Sequence, residues 1–244
     1  VLFRSVPEGI LLLGGEAQRS DGGVFSSNSM MLLSMIDHQL SLTKLDNMPV
    51  SFVKGASAMH DNKLYLIGGK QDGKASNNVH IYNVQTKRWS MTSAYPMAPR
   101  VNAQAMISNN QLYLFSGSSV VADENIILTD GYKLDLRADN AKWHVLADVM
   151  LDDNTPISLM AASVIGLNDW QTLFLGGYNK QVFDQWLSTI KRVSGTALEQ
   201  AAKVEFFSKT PAQFNWNDQA LIFDSRNERW TSLGKLPFLP NCGA

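Results

Sequence analysis

One pattern recurs four times along the chain: a short apolar stretch that ends in a glycine pair and is followed, some way downstream, by two large side chains. The pairs begin at positions 14, 68, 116 (as Ser-Gly) and 176. A period of about 50 residues predicts a repeat architecture, in which each unit buries its apolar face against the next. The downstream positions are, in order, Met35 and Leu42, Tyr82 and Trp89, Tyr132 and Trp143, and Phe223 and Trp230.

Each copy is predicted to form four short strands, because runs such as Lys63–Ile67 are bounded by turn residues such as Asp61 and Asn62. A repeat of this length and strand content is typical of an all-β, kelch-type β-propeller. The aromatic residues are expected to fill the space between neighbouring sheets. We therefore predict a single partial propeller over residues 1–244, with blades at about 1–47, 48–96, 97–149 and 150–237, and the start of a further blade at 238–244.

The fourth copy carries an insertion of about 45 residues between Gly177 and Phe223. Apolar residues at 182, 186, 190 and 193 follow a helical spacing, and the stretch 197–207 is rich in helix formers. We expect a helical insertion at about 180–210 that covers one mouth of the propeller. Long insertions in compact domains are often functional, although a purely structural cap fits the pattern equally well.

Composition excludes several classes of function. The chain has 21 basic and 22 acidic residues, a formal charge of -1, so no cationic surface for nucleic acid is expected. No apolar run approaches the roughly 20 residues of a membrane helix. The four histidines lie far apart in sequence, and the single cysteine, Cys242, has no partner here for a disulfide or a thiolate metal cluster. We therefore expect no metal site.

Several motifs resemble those of the sialic acid mutarotases (N-acetylneuraminate epimerases), in the branch with cyclically permuted blades. They are the Gly-Gly-Tyr-Asn run that opens the insertion, the stretch 207–217 (FSKTPAQFNWN) that closes it, the stretch 99–104 (PRVNAQ) and the stretch 128–132 (LTDGY). The resemblance covers nearly the whole chain. The position of the insertion is its most specific part, since the repeat alone is common to many kelch proteins.

The resemblance implies a six-bladed propeller in the complete protein and an isomerase activity. Such an enzyme interconverts the α and β anomers of a small sugar acid, N-acetylneuraminate, without a cofactor. It also implies a bacterial periplasmic or extracellular location. The family's proposed catalytic Glu and Arg lie in a Gly-Glu-x-Lys-Pro-Gly-x-Arg loop, which by order of blades falls beyond Ala244. We therefore expect this chain to be a piece that lacks the main catalytic loop and is inactive by itself.

Four residues are candidates for substrate binding, and each has a structural alternative. Arg100 stands just before the first strand of a blade. Its guanidinium is suited to binding the substrate carboxylate, or to donating hydrogen bonds to backbone carbonyls of a neighbouring blade. Asn102 is expected at the same mouth, although loop asparagines are commonly structural. Asn179 is placed to donate to a sugar hydroxyl or to cap the first helix. Glu16 is either a residue of the pocket or a solvated loop carboxylate.

Three aromatic residues of the insertion, Trp186, Phe214 and Trp216, are suited to stacking on a sugar face or to anchoring the insertion on the sheets. Two other functional classes remain. A non-catalytic kelch propeller that binds a protein or a glycan has no need of such a helical flap, and fold alone does not fix function. A copper oxidase on the same scaffold requires Tyr, His and Cys ligands, which the scarcity of His and Cys argues against. Oligomeric state is left open by the sequence.

Overall fold

The computed structural model describes residues 2–121, 124–151 and 154–238. The chain divides into two compact units, Val1–Val101 and Asn102–Ala244. The predicted start of a further blade at 238–244 lies, except for Phe238, outside the described residues.

The first unit consists entirely of antiparallel strands. Strands β1, β2, β5 and β6 form one sheet, strands β8, β9, β12 and β13 form a second in the order β13-β12-β9-β8, and two small ribbons pair β3 with β4 and β11 with β10 and β7. The strands are β1 (Leu2–Val6), β2 (Gly9–Leu13), β3 (Glu16–Gln18), β4 (Val24–Ser26), β5 (Met30–Ile36), β6 (Gln39–Lys44), β7 (Phe52–Val53), β8 (Ala56–His60), β9 (Lys63–Ile67), β10 (Lys70–Gln71), β11 (Lys74–Ala75), β12 (Val79–Asn83), β13 (Arg88–Thr92) and β14 (Arg100–Val101).

In the second unit, strands β15 to β18 form one antiparallel sheet and strands β19 to β22 form another, each in chain order. Three helices lie between β20 and β21, which are paired neighbours in the last sheet. The elements are β15 (Gln104–Ser108), β16 (Gln111–Val121), β17 (Glu124–Asp135), β18 (Trp143–Leu146), β19 (Ser163–Gly166), β20 (Gln171–Leu175), α1 (Lys180–Val193), α2 (Leu198–Phe207), α3 (Pro211–Phe214), β21 (Gln219–Asp224) and β22 (Arg229–Lys235).

The glycine pairs stand at matching places in the repeats: three of them directly follow the second strand of a sheet, and the Ser-Gly pair lies within the second strand, β16. Gly14 shows why glycine is needed there: its φ is 55°, and an added Cβ would lie 2.2 Å from the carbonyl oxygen of Phe52. In the third copy the Ser-Gly pair forms a bulge in β16, with Ser116 at a φ of 56° and a shift of register between Phe115 and Gly117. Beyond this bulge, β16 and β17 continue as a long hairpin.

Each unit has its own apolar core. In the first unit, Leu11, Leu13 and Met30 pack with Leu64, Leu66 and Tyr82 across two sheets. In the second unit, the core is centred on Phe115, whose ring lies 5.1 Å from Phe223 and 5.0 Å from Trp230. The alternating burial along these strands agrees with the predicted all-β repeat, and the kelch-type propeller fold is confirmed by the structural comparison given below.

The packing of the large repeat residues follows the prediction only in part. Tyr82 and Tyr132 are buried, at 4% and 2% exposure. Trp89, Trp143 and Trp230 lie in the last strand of their sheets and are half-buried. Met35 and Leu42, the corresponding positions of the first copy, are 64% and 58% exposed, because they point away from the core of that sheet. The first repeat therefore lacks the aromatic packing that the later repeats have.

The helical insertion is confirmed. Helix α1 carries the predicted apolar positions, but its most buried residue is Phe183, which that spacing did not include. Phe183 packs against Phe206 of α2 at 5.3 Å between ring centres, and the two helices are joined by a short turn at 194–197. The short α3 begins with a capping box, in which Thr210 and Gln213 bond reciprocally, and Pro211 occupies its first turn.

Candidate functional site

The base of the insertion is held by hydrogen bonds to one buried segment, Ser158–Ala161. The amide of Tyr178 donates to the carbonyl of Met160 over 3.0 Å, directly after the glycine pair. Gly177 has a φ of 100°, and an added Cβ would lie 3.2 Å from the same carbonyl. The close approach of these two backbones therefore depends on glycine.

Asn217 closes this junction from the other end of the insertion. Its side chain is 8% exposed, and its Nδ2 donates to the carbonyl of Ser158 and, over 3.3 Å, to that of Tyr178. Its backbone amide donates to the carbonyl of Gly177 over 3.1 Å. One amide side chain thus ties the two ends of the insertion to each other and to Ser158.

A small cavity of about 200 Å³, here called the amide cavity, opens beside Asn217. Amide side chains supply much of its polar wall, and amides both donate and accept, as sugar hydroxyls require. The lining residues are Leu151, Thr155, Pro156, Ile157, Asn179, Lys180, Gln181, Asn217, Asp218 and Gln219.

Asn179 performs the helix-capping role that the sequence predicted. Its Oδ1 accepts a hydrogen bond from the amide of Val182 over 3.2 Å, at the start of α1. Its Nδ2 donates to the carbonyl of Asn215 over 2.9 Å. The same side chain also lines the amide cavity, so the capping and ligand-binding interpretations are compatible at this residue.

Asn102 has a backbone reason to be asparagine. Its φ is 55°, in the left-handed region that Asn tolerates better than most residues. Its carbonyl accepts from the amide of Ala161 over 3.0 Å. Asn102 is therefore bonded directly to the segment 158–161. Asn179 is next in sequence to Tyr178, which is bonded to the same segment.

Arg100 lies in the first unit and is buried, with 1% of its surface exposed and its guanidinium carbon 5.6 Å from the centre of the Tyr95 ring. Asn102, two residues after Arg100, has a left-handed φ. In other repeats, Phe52 and Leu159 stand in the same relation to Lys54 and Ala161, and both are also 1% exposed. Arg100 therefore takes the place of an apolar core residue. Its role toward a carboxylate stays a prediction.

Glu16 lies in the exposed ribbon of β3 and β4, where it pairs in register with Ser26. This is the solvated position that the sequence favoured. Asn217, by contrast, was not among the predicted site residues. The only signal for it was its place at the end of the FSKTPAQFNWN run that closes the insertion.

The three insertion aromatics, for which sugar stacking and anchoring of the insertion were the two alternatives, stack on one another and on their neighbours. Trp186 lies 4.4 Å from Phe206, and Phe214 lies 4.9 Å from Trp216, both nearly parallel. These contacts agree with the structural alternative, in which the rings hold the insertion together. All three also line a cavity beside the β16–β17 hairpin.

A cleft of about 430 Å³ between the β16–β17 hairpin and α1 contains charged side chains in pairs. Lys191 binds Glu124, and Lys180 binds Asp184 with 2.6 Å between nitrogen and oxygen. The hydrogen bond from Lys191 lowers the pKa of Glu124. Because each lysine faces a carboxylate, these four side chains give the cleft no surplus positive charge for a sugar acid.

Within the described ranges, no group of three or more His, Cys, Asp or Glu residues is arranged to hold a metal ion. No helix in that part of the chain is both long enough and apolar enough to cross a membrane.

The chain is similar to several known proteins. The sequence model of the N-acetylneuraminate epimerase family matches residues 45–244. The N-acetylneuraminate epimerase of Vibrio vulnificus is 28% identical over 206 residues, which cover 81% of this chain and 51% of that protein. That of Brucella suis is 30% identical over 207 residues, covering 80% of this chain and 50% of that protein. The chain thus spans about half the length of these curated relatives.

Structural comparison agrees with the sequence comparison. A solved structure titled "Structure of YjhT" aligns with a TM-score of 0.70 and 21% identity, covering 82% of this chain and 56% of that chain. A Kelch domain-containing protein of Vibrio cholerae is 28% identical over 210 residues, covering 84% of this chain and 56% of that protein. The fold is that of a kelch-type propeller with a helical insertion between β20 and β21. With the family match extending over residues 45–244, this chain belongs to the N-acetylneuraminate epimerase family.

Proposed function

We propose that the protein containing this chain interconverts the anomers of N-acetylneuraminate by acid–base opening and closure of the sugar ring. The observation that carries the proposal is the family match over residues 45–244, which includes the entire helical insertion. Relatives that bear the epimerase name match over about half their length. The activity therefore belongs, in this proposal, to the complete gene product.

The reaction sets clear chemical requirements. Ring opening of a hemiketal needs a base for the anomeric hydroxyl proton and an acid for the ring oxygen. Polar groups must also hold the open-chain sugar while its carbonyl rotates to present the opposite face to the ring hydroxyl, because closure on that face gives the other anomer. We assign the acid–base carboxylate and its arginine partner to sequence outside residues 1–244, as the resemblance implies. In this proposal, the chain supplies binding groups.

We assign sugar binding chiefly to the amide cavity. Asn179 and Asn217 are held in fixed orientations by hydrogen bonds to backbone groups, so little side-chain entropy is lost when they meet a ligand. Asn102 is proposed to act beside them through the segment that it shares with Tyr178.

Arg100 is proposed to contribute positive charge that favours the substrate carboxylate. Its burial, at 1% exposure, reduces screening by salt, so its charge acts over a longer range than that of a surface arginine. A direct bidentate contact requires its side chain to become accessible. Glu16 is proposed as a further polar group for the sugar, and its side chain is exposed.

The proposal is tested by proton NMR of anomer exchange. We expect the complete gene product to accelerate equilibration of N-acetylneuraminate, with the Vibrio vulnificus epimerase as a positive control. The 244-residue chain is expected to bind the sugar without accelerating exchange, because it lacks the acid–base loop. A complete gene product that binds the sugar but leaves exchange at the buffer rate would indicate a non-catalytic glycan-binding propeller instead.

Site variants separate binding from folding. Asn179→Ser keeps a capping hydroxyl but removes the amide, so we expect weaker sugar binding with an intact α1. In the complete gene product, Arg100→Gln is expected to raise KM more than it lowers kcat, since it removes charge that acts on the bound carboxylate in both ground and transition states. Gln200→Ala, on an exposed position of α2, is the matched control and should leave both constants unchanged.

A further inference from the structure

We propose that the amide cavity is the subsite for the acetamido group of the sugar acid, and that it makes the protein selective for acids that carry this group. The inference rests on the proposed function, because it names the part of the substrate that the cavity holds. The cavity measures about 200 Å³, which is less than the roughly 300–1,000 Å³ of pockets that enclose a whole small ligand. It therefore suits one substituent, with the sugar ring at its mouth.

The orientation of the Asn217 side chain is fixed by its two hydrogen bonds. Both partners, the carbonyls of Ser158 and Tyr178, are acceptors, so the atom that faces them must be the amide nitrogen. That nitrogen carries two hydrogens, and these two carbonyls take both. A flip of the amide group would place its oxygen against two carbonyl oxygens, so Oδ1 is held on the side away from them.

Oδ1 of Asn217 accepts no hydrogen bond from the described residues, although the side chain is only 8% exposed. It is not among the wholly buried side-chain atoms that lack a partner, so this oxygen keeps a small accessible surface. Asn217 lines the amide cavity, and it lines neither the cleft between the β16–β17 hairpin and α1 nor the cavity formed by the aromatic residues. An acceptor that is nine-tenths buried calls for a donor, which an occupant of the cavity supplies.

Asn179 supplies the complementary donor. Its Oδ1 accepts from the amide of Val182, and its Nδ2 uses one hydrogen in the bond to the carbonyl of Asn215. An amide nitrogen carries two hydrogens, so one remains for a further acceptor. Since Asn179 also lines the cavity, the wall offers one acceptor and one donor. A secondary amide needs this pair for its own N–H and carbonyl.

The apolar part of the wall suits the methyl end of an acetamido group. It consists of Leu151, Pro156 and Ile157, of which Ile157 is 8% exposed. Removing a methyl group from water against aliphatic side chains is favourable by the hydrophobic effect. A hydroxyl group in place of the acetamido group would leave this apolar surface uncovered.

The charged residues of the lining are already paired, which argues against the substrate carboxylate as the occupant. Lys180 binds Asp184 at 2.6 Å, and Asp218 binds Lys235 at 2.7 Å between nitrogen and oxygen. A carboxylate in the cavity would also face the acceptor oxygen of Asn217. Burying a charge without a partner is costly, so the carboxylate lies outside the amide cavity.

The test compares three sugar acids that differ only at carbon 5, by isothermal titration of the 244-residue chain. They carry an acetamido group (N-acetylneuraminate), a hydroxyl group, or an acetoxy group, which keeps the carbonyl and the methyl but has an ester oxygen in place of the N–H. We expect the hydroxyl compound to bind about tenfold more weakly or worse. The acetoxy compound should bind about three- to tenfold more weakly, because its ester oxygen cannot donate to Oδ1 of Asn217. Equal affinity for all three acids, or no binding of any of them, would overturn the proposal.

Asn179→Ser tests the donor. The serine hydroxyl keeps the cap of α1 but removes the amide N–H, so the preference for the acetamido over the hydroxyl compound should shrink about three- to tenfold, with unchanged helix content by circular dichroism. Gln200→Ala, at an exposed position of α2, is the matched control and should keep the full preference. A full preference in Asn179→Ser would contradict the role given to this side chain.

Exchange kinetics of the complete gene product separate this proposal from the proposed function. Accelerated exchange with equal kcat/KM for the acetamido and hydroxyl acids would refute the acetamido subsite and leave mutarotation standing. A preference in binding without any acceleration of exchange would refute mutarotation and leave the subsite standing.

Discussion

The most direct test of the structure concerns Asn217, whose side chain joins the two ends of the insertion to each other and to Ser158. Asn217→Ala removes two donated hydrogen bonds but keeps the backbone bond to Gly177. The carbonyl of Ser158, a residue with 0% exposure, then loses a donor in a place that water reaches poorly. Leaving buried polar groups unsatisfied costs about 1–3 kcal/mol each, so we expect a loss of about 2–4 kcal/mol in unfolding free energy.

For a domain of this size, that loss corresponds to a fall in Tm of roughly 5–15 °C, measured by circular dichroism. Hydrogen exchange should also accelerate at Tyr178 and through the first turn of α1, because the insertion is released at its base. Gln200→Ala, on the exposed face of α2, serves as the control and should shift Tm by no more than about 2 °C. A loss below about 0.5 kcal/mol with unchanged exchange at Tyr178 would show that Asn217 does not anchor the insertion.

Three further outcomes are expected. Phe115→Ala, at the fully buried centre of the second unit's core, should cost about 3–5 kcal/mol in chemical denaturation, whereas Trp143→Ala should cost less because Trp143 is half-buried. Asn179→Ala should cost about 1 kcal/mol by loss of the cap and Asn179→Ser clearly less; equal losses would contradict the capping role. Burial lowers the pKa of His80, partly opposed by Asp72, so the unfolded state binds the proton first and the urea midpoint should fall as pH drops below about 6.5. His80→Phe should flatten that slope relative to the exposed control His144→Gln, and an equally steep slope would refute the assignment.

The His80 network shows how far local pattern reaches. Its ring Nε2 lies 3.0 Å from Oε1 of Gln71, while Nε2 of Gln71 donates to the carbonyl of Gly68 over 3.1 Å. Because Nε2 of Gln71 already donates to Gly68, the side-chain oxygen of Gln71 accepts a hydrogen bond from Nε2 of His80. This arrangement fits a neutral imidazole ring. No spacing in the sequence indicated this chain of contacts, because it joins β10 and β12, which belong to different sheets.

The sequence by itself determined the features that repeat or that act over a few residues. The glycine pairs and the period of about 50 residues predicted the propeller repeat, the helical spacing after Asn179 predicted α1, and the capping preference of Asn predicted the bond to Val182. These features depend on backbone geometry and on neighbours within one or two turns, and such information is contained in short stretches of sequence.

Only the tertiary structure decided which side chains those elements bury and what they touch. It placed Arg100 in a core position that Phe52 occupies in another repeat, left Met35 exposed, and made Asn217 the anchor of the insertion. Each of these outcomes depends on contacts between residues far apart in the chain. Burial is set by which faces meet when sheets and helices pack, and a periodic pattern specifies a face without specifying its partner.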